Sequence, residues 1–114
     1  MDINNPANPK IVVIDQYFLG ADGLVLKDAD HLFVVTNGGN DKIFELETKD
    51  NWASAQLSAT TLIADRFTYP ATATMKADQL WVMNAKTNEL VDSNAIPARK
   101  FAIQLAVLKP VPKK

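Results

Sequence analysis

The sequence predicts an all-β chain, and three observations carry that expectation. Short runs rich in Val, Ile and Phe are punctuated by Asn-Gly, Gly-Gly and Asp-Ala-Asp turns. No segment sustains an apolar period of 3.6, so no long helix is expected. A strand also recurs: Asp30-His31-Leu32-Phe33-Val34-Val35-Thr36 aligns with Asp78-Gln79-Leu80-Trp81-Val82-Met83-Asn84 at a constant offset of 48 residues, and Ala29 and Ala77 extend the match. Repeats of this size, holding several short strands each, are the signature of propeller blades of roughly 40–50 residues. The expected architecture is two antiparallel four-stranded β-propeller blades, eight strands with at most one or two helical turns, able to assemble into a six-bladed propeller.

Taken in order, residues 1–9 are Asn- and Pro-rich and read as a flexible lead-in to a blade pair over 10–109. Lys10–Asp15 is a compact β-branched strand, and Tyr17 and Phe18 after it read as lids on the core. Leu24–Leu26, Leu32–Thr36 and Lys42–Leu46 form an antiparallel meander. Its turns use Asn-Gly and Gly-Gly dipeptides, which accept positive φ at little steric cost. Trp52–Ala59 reads as a loop or a single helical turn capped by Asp50 or Asn51, with the outer strand at Leu57–Ala64.

Thr72–Met75 and Leu80–Met83 make the next hairpin, Lys86–Arg99 a long surface loop and Lys100–Leu108 the last strand. Lys109-Pro110-Val111-Pro112 should end regular structure, leaving 110–114 as a tail. Alternation within the strands assigns most of the core to Leu24, Leu26, Leu32, Val34, Ile43, Leu46, Leu80, Val82, Ile103 and Leu105. Phe33 and Trp81 hold matching repeat positions and are expected to pack between blades.

With 114 residues, 47% of them hydrophobic, the chain has one domain's worth of length and enough apolar material for a core. A net charge of −1 offers no basic field for a phosphate backbone, so nucleic acid is not an expected partner, and Lys113-Lys114 is too short an arm to change that. The absence of cysteine excludes disulfides, thiolate metal sites and cysteine nucleophiles. No apolar run has the length of a membrane span, and Met1–Asn5 lacks the features of a signal peptide, which makes a cytoplasmic location the default.

Several segments together resemble one family. Gly20-Ala21-Asp22-Gly23-Leu24 followed by Leu32-Phe33-Val34-Val35-Thr36-Asn37-Gly38-Gly39 is similar to the late blades of the SMP-30/gluconolactonase-like six-bladed propellers. There an Asp-Gly pair opens the innermost strand. Asp50–Ala55, Tyr69–Ala73 with Leu80–Asn84, and Phe101-Ala102-Ile103 resemble the segments that follow, so the likeness spans about residues 20–108. It covers the family's C-terminal two blades, where family members carry about six in one chain.

The resemblance implies a metal-dependent lactone or ester hydrolase acting on a small-molecule substrate. Asp22 would be its catalytic base or metal ligand for Ca²⁺, Mg²⁺ or Zn²⁺. The family's other ligands, a Glu from the first blade and Asn residues from the middle blades, have no matching positions here. An Asp before Gly also serves simply by hydrogen-bonding the backbone of a turn. A non-enzymatic binding module and a truncated inactive fragment are the alternative functions.

Asn37 reads first as a turn residue, with a polar contact on the rim of Asp22 as the alternative. Asp28, Asp30 and Asp41 read as turn acids, and the side chains of Asp28-Ala29-Asp30-His31 are expected to diverge on their hairpin. No serine lies in a nucleophile-elbow context. Two repeats are too few to cover one another, so a homo-oligomer is expected. Three copies would make six blades, with Lys10–Asp15 donated to the incomplete second blade of a neighbour.

Overall fold

β-branched and aromatic runs form nine strands among the residues described by the computed structural model, namely 7–9, 11–14, 16–86 and 101–111. They are β1 (Val13–Ile14), β2 (Ala21–Asp28), β3 (His31–Thr36), β4 (Lys42–Glu47), β5 (Ser54–Thr60), β6 (Pro70–Lys76), β7 (Gln79–Asn84), β8 (Ala102–Ala106) and β9 (Lys109–Pro110). The one helical element among these residues is a 3₁₀ turn at Ile63–Asp65. The expected loop over Lys86–Arg99 lies outside the described residues except for Lys86.

The all-β expectation holds, but the sheets are not two four-stranded blades. The first is a curled, mixed six-stranded sheet in the order β1-β5-β4-β3-β2, with β9 also on β5. The second is the three-stranded antiparallel sheet β6-β7-β8. β1 is not left for another copy: it pairs in parallel with β5 through Val13↔Ser54 and Ile14↔Ala55. β9 corrects the expectation that Lys109 and Pro110 lie beyond regular structure, since Pro110 sits opposite Ala59 and Lys109 opposite Thr60. Proline's missing N–H is tolerated on so short a flanking strand, and the Val111 N–H continues the contact to Ser58 O at 3.0 Å. β5 also begins earlier and ends earlier than expected. Asn51 and Trp52 take positive φ (55° and 67°), and the Ser54 N–H bonds Asp50 Oδ1 at 2.9 Å, closing a turn rather than a helix.

Alternation along the strands sends side chains to two cores. Phe33, Val35 and Ile43 of the first sheet meet Leu80, Val82 and Ala106 of the second, with Phe67 between them. On the other face of the first sheet, Val34, Leu46 and Ala55 are covered by Val12, Ile14, Phe18 and Trp52. Phe18 tilts against Phe44 with ring centroids 5.0 Å apart. Tyr17 is no lid, being 95% exposed.

Four of the expected core residues are corrected in the same way. Leu24, Leu26, Ile103 and Leu105 are 67%, 61%, 62% and 38% exposed, because strand alternation turns them away from the inter-sheet core. Trp81 shares that outward face of the second sheet, opposite Thr74 and Leu105, so it does not pack between the two sheets as Phe33 does.

The repeat survives in three dimensions. The β2–β3 and β6–β7 hairpins turn at the matching pairs Asp28↔His31 and Lys76↔Gln79. Each carries a bulge at the far end of its first strand, between Ala21 and Gly23 and between Pro70 and Thr72. The residue closing each bulged end has positive φ, Gly20 at 74° and Tyr69 at 51°. Each also receives the corresponding backbone bond, Asn37 N–H to Gly20 O (2.9 Å) and Ala85 N–H to Tyr69 O (3.3 Å).

Equivalent residues also face the same way. Val34 and Val82 point back along the stack, while Val35 and Met83 point forward, so the sheets are stacked head to tail rather than face to face. β2 and β6 are the strands that come closest. Gly23 makes this possible, because a Cβ there would lie 2.5 Å from Ala71 O.

Candidate functional site

The bulge at the start of β2 presents Asp22 to solvent at the edge where the two sheets converge. Asp22 therefore lies within the strand, not before it. A bulge inserts an unpaired residue and re-aims its side chain, and here that residue carries a carboxylate.

Asn37, at the end of β3, orients it. The Asn37 side-chain amide donates one hydrogen to Asp22 Oδ2 at 3.0 Å and the other to Pro70 O at 2.8 Å. With both amide hydrogens committed, Asn37 Oδ1 remains as an acceptor beside the Asp22 carboxylate. The rim thus combines two hard oxygen-bearing side chains, tied to the second sheet through Pro70.

Asp41 stands on the same loop as Asn37 but does structural work, as a turn acid should. Its Oδ2 accepts the Tyr69 N–H at 3.1 Å, and its Oδ1 is shielded from solvent with no partner among the described residues.

Asp28 and His31 correct an expectation. Their side chains converge, with His31 Nδ1 donating to Asp28 Oδ1 at 2.7 Å. The same oxygen accepts the Asp30 N–H at 2.9 Å. The His31 bond, then the backbone bond, hold the Asp28 carboxyl below its ordinary pKa. Asp30 is exposed and adds no third ligand. Among the described residues no group of three or more His, Cys, Asp or Glu side chains is placed to hold a metal ion.

At the opposite end of β2 an open cleft of about 340 Å³ lies between the sheets, lined in part by Lys27, Phe33, Glu45, Asp78 and Leu80. Lys27 spans its mouth, paired with Glu45 at 3.2 Å and 5.9 Å from the Phe33 ring centroid. Strand alternation shows that Glu45 and Phe33 share a face, but only the second sheet makes that face a cleft.

A partly buried polar relay was likewise not expected from the sequence. Asn84 Oδ1 accepts the Thr68 N–H at 2.9 Å, Asn84 Nδ2 donates to Gln104 Oε1 at 3.0 Å, and Gln104 Nε2 donates to Asp65 O at 2.6 Å. It fastens the Ile63–Asp65 turn and the loop after it to the second sheet. Its one sequence signal is a polar Asn84 at a core-facing strand position.

No protein-family model, curated protein or solved structure matches the chain.

Proposed function

We propose that the chain is a propeller-type blade pair resembling the metal-dependent lactone and ester hydrolases of the gluconolactonase kind, with Asp22 as the carboxylate offered to ligand. One observation carries the reading. The second sheet builds the equivalent bulge with Ala71 and closes it with Ala85, so neither a carboxylate at position 22 nor an amide at position 37 is needed to make the turn. The polar pair occurs in one repeat alone, which sets it apart from the turn geometry.

The donor set fits a hard divalent cation in kind and falls short in number. Asp22 and Asn37 offer carboxylate and amide oxygens, the ligands Ca²⁺ and Mg²⁺ take, but a full shell needs more donors than two side chains supply. A cation bound there would supply Lewis-acid polarisation of an ester or lactone carbonyl. The chain's own part is to hold Asp22 in one orientation through Asn37, and to accept a proton from an attacking water at the Asp22 carboxylate.

The shortage of donors among the described residues favours a second reading, a non-enzymatic binding module whose Asp22–Asn37 rim contacts a small molecule. Equilibrium dialysis against Ca²⁺, Mg²⁺ and Zn²⁺, followed by a lactone panel, separates the two, using the wild type and Asp22→Ala. The hydrolase reading expects cation uptake and turnover by the wild type. It also expects both to be lost in a variant whose melting temperature is unchanged. A wild type that takes up no cation and turns over no lactone removes the hydrolase reading and leaves the binding module and the inactive fragment.

A further inference from the structure

We infer that the cleft between the two sheets at their hairpin-turn ends is a binding site for a short alkylammonium, seated where the Lys27 ammonium now lies. The inference is independent of any chemistry at Asp22, which sits at the other end of β2.

Strand register builds one wall. Val25 pairs with Phe33 and Phe33 with Glu45, so these side chains share the face of the first sheet that looks toward the second. Lys27, two residues after Val25, reaches the same face. The sheets touch at Gly23 and Ala71, where no Cβ would fit, and part toward the turns. The space left there is about 340 Å³, at the lower end of the range for small-molecule sites. Leu80, Ala106 and Leu108 line it with apolar surface, and Asp78 borders it from the turn of the second sheet.

The wall already holds a cation. The Lys27 ammonium lies 3.2 Å from Glu45 Oε1 and 5.9 Å from the Phe33 ring centroid. A carboxylate beside an aromatic face is the combination that recognises organic ammonium groups. The three side chains differ in their access to water. Glu45 is 12% exposed at its side chain and Phe33 is 4% exposed, whereas the Lys27 side chain is 40% exposed. Glu45 needs a cation at that point, because a shielded carboxylate without a partner is costly. Lys27 need not be that cation, because its flexible stem can carry the ammonium out into water. An incoming alkylammonium replaces it charge for charge and lays its chain on the apolar lining.

Charge fixes the sign of the ligand. Among the described lining residues Glu45 and Asp78 are acidic and Lys27 alone is basic. Lys27 neutralises Glu45, and Asp78 takes part in no ion pair among the described residues. The residual charge is negative, which attracts cations and disfavours carboxylates and phosphates.

The test is a nuclear magnetic resonance titration of the full chain, reading amide shifts at constant ionic strength, with n-butylammonium, n-butanol and n-butyrate as the probes. The ammonium should give saturable shifts centred on Phe33, Glu45 and Leu80, and the alcohol and the carboxylate should not. Lys27→Met keeps an unbranched stem and removes the resident charge, so it should bind n-butylammonium about fivefold more tightly than the wild type. Glu45→Gln should lose the saturable shifts, with circular dichroism and a thermal melt verifying that it folds. If it does not fold, Asp78→Asn, at an exposed turn position, replaces it and should weaken binding about twofold.

Butanol or butyrate shifts equal to those of the ammonium overturn the proposal, as do shifts centred on Asp22 and Asn37. So does a Lys27→Met variant that binds the ammonium no more tightly than the wild type, and so does a folded Glu45→Gln variant that binds it as well.

Discussion

Asp22 and Ala71 occupy the same bulge in two different sheets. Each is the extra residue between the first and second ladder pairs of its inner strand, Ala21↔Thr36 and Gly23↔Val35 in one case, Pro70↔Asn84 and Thr72↔Met83 in the other. One position carries a carboxylate and the other a methyl group on similar backbone. The fold therefore leaves the choice of side chain there free, which directs attention to what Asp22 contacts.

Asn37 and Asp22 should separate in their effect on stability. Asn37→Ala removes the donor to Pro70 O, a carbonyl on a buried residue where the two sheets meet. Leaving that acceptor unpaired should cost about 1–2 kcal/mol. Asp22→Ala removes only an exposed partner of the same amide and should change the urea midpoint little. Equal losses in the two variants would show that the pair acts as one structural unit.

Gly23 should not tolerate a side chain. An added Cβ would lie 2.5 Å from Ala71 O and 3.1 Å from Thr72 Cα, both backbone atoms that cannot swing away. Gly23→Ala should destabilise by about 1–3 kcal/mol through forced separation of β2 and β6. A denaturation midpoint equal to that of the wild type would mean that the strands do not approach so closely.

Core and face should be distinguishable by truncation. Leu80 is 3% exposed within the inter-sheet core, and Leu80→Ala should cost about 2–5 kcal/mol. Leu26, 61% exposed, should lose less than about 1 kcal/mol on the same change in dilute monomer. The reverse order would return Leu26 to the core where strand alternation first placed it.

Acid should weaken the fold through two turns. The Asp50 carboxyl is held below its ordinary pKa by the Ser54 hydroxyl (2.5 Å) and then by the Ser54 N–H (2.9 Å), and Asp28 is lowered by His31. A carboxylate with a depressed folded pKa contributes stability that is present above its unfolded value and lost as pH falls through the folded one. Urea midpoints should therefore decline below about pH 4, and the decline should be shallower in Asp50→Asn. An identical pH profile in that variant would remove Asp50 from the account.

The strands and turns were legible in the sequence because alternation, β-branching and Asn-Gly punctuation are local properties. So was the repeat, since His31–Thr36 and Gln79–Asn84 match position by position. Asp22 could also be singled out, as a carboxylate beside a glycine at the mouth of a meander. Alternation divides Leu24, Leu26, Leu32 and Val34 from Phe33 and Val35, but it cannot say which face finds a cover. That depends on where the second sheet and the N-terminal segment settle, which is why Val34 is buried while Leu24 on the same face is exposed.

The partner of β1, the edge pairing of Pro110 with Ala59 and the meeting of Asn37 with Pro70 all join residues far apart in the chain. Their pairing rests on the closure of distant backbone groups against one another, a property of the assembled sheets that no local pattern encodes. The sequence by itself determined an all-β repeat with one distinctive carboxylate. Tertiary packing decided that this carboxylate rides a bulge held by Asn37, and which apolar faces were left open.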